Sequence, residues 1–119
     1  MTTAQTFDQF FQKATGGREA YPFQKRFANA AQLPHLVRAP TGAGKTATAV
    51  LGWLWRWTQQ LTHTPRRLVY CLPMRVLVEQ SERETRGWVK NLGLAEVVET
   101  HVLMGALKRM RGFCIQRNQ

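Results

Sequence analysis

Residues 39–46 read Ala-Pro-Thr-Gly-Ala-Gly-Lys-Thr, a spacing suited to gripping phosphate. Gly42 and Gly44 let the main chain bend and approach an anion without a Cβ in the way. Successive N–H groups then point inward, and a helix starting just beyond offers its positive end. Lys45 reaches the β- and γ-phosphates of ATP, and the Thr46 hydroxyl is a ligand for Mg2+. Thr41, Gly42, Ala43, Gly44, Lys45 and Thr46 are therefore the candidate cradle. A chance glycine-rich turn before a helix is the competing reading. It must also absorb the apolar run before, the helical pattern after and the complete Gly-Lys-Thr ending.

Two flanking stretches carry further candidates. Upstream, "YPFQKRFA" contains Gln24, whose amide has a donor and an acceptor to match the N6 and N7 edge of adenine. Taken alone, an exposed helix glutamine is the better reading of it. Downstream, "CLPMRVLVEQ" carries Pro73 and Arg75 in a strand-to-helix turn, with Leu77 and Gln80 on the helix. Arg75 in the first turn can meet a nucleic-acid phosphate beside free backbone N–H groups, or can be a solvated surface arginine.

The elements that must position these residues follow from apolar periodicity. Phe7, Phe10, Phe11 and Ala14 have helical spacing, and Gly16 and Gly17 end that helix. A second helix starts at "YPFQ", with Pro22 in its first turn and Phe23 and Phe27 on one face. "HLVRA" reads as a short buried strand leading into the glycine loop. From Gly44 to Leu61 the pattern is helical, with Ala47, Val50, Leu51 and Leu54 as its apolar stripe and Trp53 and Trp57 beside it. "RLVYCL" is a second buried strand, with Cys71 inside it. "MRVLVEQSERETRGWVKNLG" is a helix stopped by Gly93. "EVVETHVLMG" is a third strand. Alternation of strand and helix with short connections predicts parallel βαβ units.

Composition bounds the partners. Seventeen Lys and Arg face seven acids, giving +10 and a pI near 10.9. That balance favours polyanions such as nucleic acid, against the alternative of a generally basic, solvated surface. Cys71 and Cys114 are far apart and have no metal-ligand spacing to His35, His63 or His101, so they read as reduced thiols of a cytoplasmic protein. "MTTAQTFDQF" lacks the basic and apolar regions of a signal peptide. The run "AVLGWLW" stops at Arg56, short of the roughly 20 residues a membrane span needs.

Taken together, Gln24, "APTGAGKT" and "LPMRVLVEQ" resemble the opening of a superfamily 2 DExD/H-type helicase: its adenine-reading glutamine, its motif I and its motif Ia. "RAPTGAGKTATAVLGWLWRW", "RLVYCLPMRVLVEQ" and "THVLMG" are most similar to the CRISPR-associated helicase–nuclease of type I systems, in particular type I-G (formerly I-U). The resemblance covers about Ala20 to Gly105. It implies an α/β fold, part of a RecA-like phosphate-loop NTPase domain with a parallel sheet and flanking helices. It also implies ATP-driven translocation on single-stranded DNA, with a CRISPR effector complex as a partner. Pro73, Arg75 and Gln80 fall on its nucleic-acid motif.

The expected division is 1–105 as the N-terminal portion of the first RecA-like domain, and 106–119 as a basic tail. That tail, "ALKRMRGFCIQRNQ", has no acid and departs from the resembled pattern, so it reads as foreign or as a disordered end. The resembled family also places an Asp-Glu pair at a later strand end, and a second RecA-like domain beyond it. Asp8 is the only Asp, and no His-Asp pair marks a nuclease. The expectation is an apparently truncated piece that binds ATP without turning it over. The alternatives are a non-enzymatic basic protein that binds nucleic acid or interferes with the full helicase, and a nucleotide kinase sharing the phosphate loop.

Overall fold

A computed structural model describes residues 5–39, 44–59, 64–72, 74–103 and 112–117. The chain forms two units, Met1–Thr64 and Pro65–Gln119.

The first unit is helical: α1 (Phe7–Thr15), α2 (Pro22–Asn29) and α3 (Lys45–Thr58). Thr6 starts α1 with a capping box, its Oγ1 accepting from Gln9 N at 3.2 Å while Gln9 Oε1 accepts from Thr6 N at 3.0 Å. Gly16 ends the helix in the left-handed region. The expected stripe of Phe7, Phe10, Phe11 and Ala14 is buried. It packs against a residue the sequence pattern did not single out: Phe7 and Phe10 meet Trp55 of α3 edge-on, with ring centroids 5.9 and 5.3 Å apart. Trp53 and Trp57 stack on each other at 6.4 Å.

On α2 the buried face is Gln24 and Ala28, while Phe23 and Phe27, the expected apolar face, are half-buried. From Val50 to Arg56 every residue of α3 is buried, so Arg56 lies inside with 0% exposure. Its Nη1 donates to the carbonyls of Ala28 at 3.3 Å and Ala30 at 2.6 Å. These are the unpaired acceptors at the C-terminal end of α2, which carries partial negative charge. Trp55 Nε1 adds a bond to Asn29 Oδ1 at 3.2 Å.

"HLVRA" is not a strand. Leu36 is 71% exposed, and residues 35–39 have no strand geometry. A short apolar run carries too little periodicity to specify a strand unless a neighbour is there to pair with it.

The second unit contains β1 (Arg67–Cys71), α4 (Arg75–Asn91), β2 (Val98–Leu103) and β3 (Gly112–Arg117). Its sheet has the order β1-β3-β2, and β3 is antiparallel to both neighbours. The expected parallel pairing is therefore corrected. β1 and β2 do run in the same direction, as a strand–helix–strand crossover requires, but β3 lies between them and makes both ladders. The reading of residues 106–119 as a foreign or disordered end did not anticipate this strand.

Gly112, Phe113, Cys114 and Ile115 are all buried, the continuous pattern of a central strand. Cys71, expected inside, is exposed, because β1 is an edge strand with alternating burial. α4 buries Val78, Ser81, Thr85, Trp88 and Val89. Arg86 pairs with Glu82 and donates to the Thr100 carbonyl of β2 at 3.2 Å. The helix stops at Gly93 (φ 73) with Leu94 N bonded to Val89 O and Gly93 N to Lys90 O, both 3.0 Å, a Schellman end. No helix among the described residues is long and apolar enough to cross a membrane.

Substitutions at two positions test this packing by urea unfolding. Arg56→Ala empties a large buried site and orphans the end of α2, with an expected loss of about 3 kcal/mol. Arg56→Met retains volume and should lose less; equal midpoints for wild type and Arg56→Ala would contradict the assignment. At Gly112 a Cβ would run into the Tyr70 carbonyl across the β1–β3 ladder. Gly112→Ala should therefore cost about 1–3 kcal/mol as overpacking against backbone, and a neutral result would argue against β3 as the central strand.

Candidate nucleotide and nucleic-acid sites

The first candidate site is built on the start of α3. Gly44 is its N-cap residue, at φ 78 and ψ 44. This left-handed conformation suits glycine, and a Cβ there would come 2.8 Å from Gln24 Nε2. The Gly44 carbonyl accepts from Thr48 N at 2.9 Å, Thr48 Oγ1 at 2.8 Å and Gln24 Nε2 at 3.1 Å. With that carbonyl turned into the helix, the loop leaves α3 at its N-terminal end, where N–H groups without intrahelical acceptors favour anions. Lys45 is exposed and Thr46 half-buried. Both follow the glycine directly, as a phosphate cradle requires. Thr41, Gly42 and Ala43 lie outside the described residues.

Gln24 is 1% exposed, which corrects the reading of it as a solvent-exposed helix glutamine. Its Oε1 accepts from Tyr21 N at 2.8 Å, closing the first turn of α2, while its Nε2 holds Gly44. One amide thus joins the start of α2 to the end of the glycine loop. An amide has a second N–H and a second lone pair, and these are the groups an adenine edge would use. Beside it, Tyr21 is exposed and stacks on Phe23 with centroids 6.2 Å apart. The sequence reading passed over this pair, although an aromatic residue on each side of Pro22 was the available signal. Its ring face suits a planar base.

The second candidate site is the start of α4. Arg75 is the first helical residue and is exposed, with Nε 3.5 Å from Glu79 Oε1. An exposed pair of this kind contributes little and separates readily. Gln80 is also exposed, but five residues along a helix place it on a different face from Arg75. The structure thus joins Arg75 with Glu79 and not with Gln80. Met74, Val76 and Leu77 add exposed apolar surface to the same turn. Pro73 lies outside the described residues. Asp8 is on α1, 3.1 Å from Lys25 Nζ of α2. Among the described residues no cluster of three or more His, Cys, Asp or Glu could hold a metal.

Replacing Gln24 tests the joint. Gln24→Ala leaves Tyr21 N–H and one donor to Gly44 unreplaced in a buried setting, an expected loss of about 1–3 kcal/mol. Gln24→Glu should lose more, because a carboxylate oxygen then faces the Gly44 carbonyl. Tryptophan-detected unfolding reads both, and wild-type stability in Gln24→Glu would contradict the bond.

The sequence model of the DEAD/DEAH box helicase family matches residues 21–114. That span takes in the Tyr21–Gln24 turn, the glycine loop, α3, α4 and the first part of β3. No curated protein and no solved structure matches the chain. The match covers most of the chain: the chain belongs to the DEAD/DEAH box helicase family.

Proposed function

We propose that this chain binds ATP for a DNA helicase acting on single-stranded DNA, and that it holds the nucleotide without turning it over. The observation that carries the reading is the bond from Gln24 to Gly44 at 3.1 Å. It joins the Gln24 amide to the last glycine of the Gly-Ala-Gly-Lys-Thr stretch, which supports this reading. In this reading Thr41, Gly42, Ala43, Gly44 and Lys45 hold the phosphates and the Thr46 hydroxyl meets Mg2+. Gln24 and the Tyr21 ring receive the adenine.

ATP supplies a transferable γ-phosphoryl group when bound. The residues here bind and orient it. Lys45 places a cation on its oxygens, and the first turn of α3 adds oriented N–H groups. Activating a water for attack calls for a carboxylate near the γ-phosphate. The only Asp, Asp8, is ion-paired to Lys25, and of the six Glu residues Glu79 and Glu82 pair with Arg75 and Arg86 on α4 while Glu99 faces His101 on β2.

Pro73, Arg75 and Gln80 are the proposed contacts to DNA phosphates, supported by the exposure of Arg75 and Gln80 and by the +10 charge. Assignment to the CRISPR-associated type I-G helicases, with antiviral defence, an effector complex as partner and a cytoplasmic location, rests on the motif resemblance around residues 38–57 and 67–80. So do the parallel RecA-like sheet of the complete domain and the division at residue 105.

Equilibrium binding of a fluorescent ATP analogue tests the reading. Lys45→Ala should weaken it at least tenfold without altering the circular dichroism spectrum. No phosphate release above the Lys45→Ala background is expected with single-stranded DNA present. Analogue binding indifferent to Lys45 would overturn the nucleotide site, and DNA-stimulated release would overturn the claim of inactivity.

A further inference from the structure

Basic side chains collect at one end of the sheet. β1 begins and β3 ends there, so Arg66 and Arg67 come beside Arg117 although 51 residues separate Arg66 from Arg117. Arg66 Nε donates to the Arg117 carbonyl at 3.0 Å, and Arg117 N returns a bond to the Arg66 carbonyl at 3.2 Å. Arg67 Nε donates to Gln116 Oε1 at 2.8 Å.

Arg66 and Arg67 are both exposed, and each guanidinium is anchored through Nε. The outer nitrogens form the flat edge that makes paired bonds to a phosphate. Among the described residues no carboxylate pairs with either arginine. The acid in the same cross-strand row, Glu99, lies beyond Gln116 on β2 and faces His101 at 3.6 Å.

We propose that Arg66 and Arg67 form a second contact for a nucleic-acid backbone, separate from Arg75. Four steps of about 3.3 Å along β1 put roughly 13 Å between Arg67 and Cys71, the strand end that leads towards Arg75. Arg66 is held at the Arg117 carbonyl and Arg67 at the Gln116 side chain, so the two guanidiniums sit at separate points of the sheet end. That placement suits an extended phosphodiester chain that can reach both better than one small anion. The contact is independent of sequence, because it involves backbone charge and no base edge. The proposal rests on the nucleic-acid reading given above.

The test is the salt dependence of binding of the full chain to a labelled single-stranded oligonucleotide, followed by fluorescence anisotropy. Each phosphate contact on a single strand contributes about 0.7 to the slope of log affinity against log salt. The Arg66→Gln/Arg67→Gln variant should be shallower by about 1.4, so that the deficit it shows at 50 mM salt shrinks roughly sevenfold at 200 mM. Arg66→Lys/Arg67→Lys should keep the wild-type slope. Arg67 bonds only the Gln116 side chain, so Arg67→Gln alone carries the test if the double variant unfolds, with a slope shallower by about 0.7.

An unchanged slope in a folded glutamine variant overturns this site while the nucleic-acid reading stands. Polyglutamate displacing the oligonucleotide at equal charge concentration also overturns it, in favour of an acidic protein surface. Wild type that fails to bind the oligonucleotide at any salt concentration overturns both.

Discussion

The Gly44 carbonyl is the point on which the helical unit turns. It closes the first hydrogen bond of α3, receives the Thr48 hydroxyl and accepts the Gln24 amide. Three donors on one acceptor hold the peptide plane in place, and the left-handed φ of Gly44 is the backbone setting that allows it. A side chain at this position would displace Gln24 as well as strain the turn. The geometry where α3 begins therefore depends on a residue from another helix, and Gln24 is buried because it holds that joint.

The opposite end of the same helix pair is fastened differently. Arg56 and Trp55 reach back to the last carbonyls and the terminal Asn29 of α2. A buried guanidinium is costly to desolvate, and here its partners are helix-end carbonyls with partial negative charge in place of a carboxylate. With Gln24 holding the start of α2 and Arg56 its end, α2 cannot rotate against α3 without breaking one set of bonds. Tyr21 and Gln24, both at the start of α2, are thereby kept in register with Lys45 and Thr46.

In the second unit the organising element is β3. It supplies both ladders of the sheet, and without it β1 and β2 would each be an isolated strand over one helix. The same strand draws Arg117 and Gln116 up to Arg66 and Arg67, so sheet formation itself creates the basic end. Arg86 then ties the crossover helix to β2 through the Thr100 carbonyl, and α4 lies near β3 as well.

Local pattern in the sequence determined a good deal. The end of α1 at Gly16, the stop at Gly93 and the apolar stripes of α1 and α3 are all written in residues a few positions apart, where 3.6-residue spacing and glycine conformation leave little choice. What tertiary structure alone decided involves partners far apart in the chain. Leu36 and Val37 could not become a strand by being apolar, since a strand exists only where a neighbour takes its hydrogen bonds. "GFCIQR" became central although charged residues surround it, because a ladder rewards a short apolar run according to what lies on each side. Arg56 is buried and Cys71 exposed against their usual habits, since burial is set by which elements close over a position. Gln24 looked like a free amide in the sequence. Only the approach of α2 to the N-terminus of α3 gave it Gly44 as a partner.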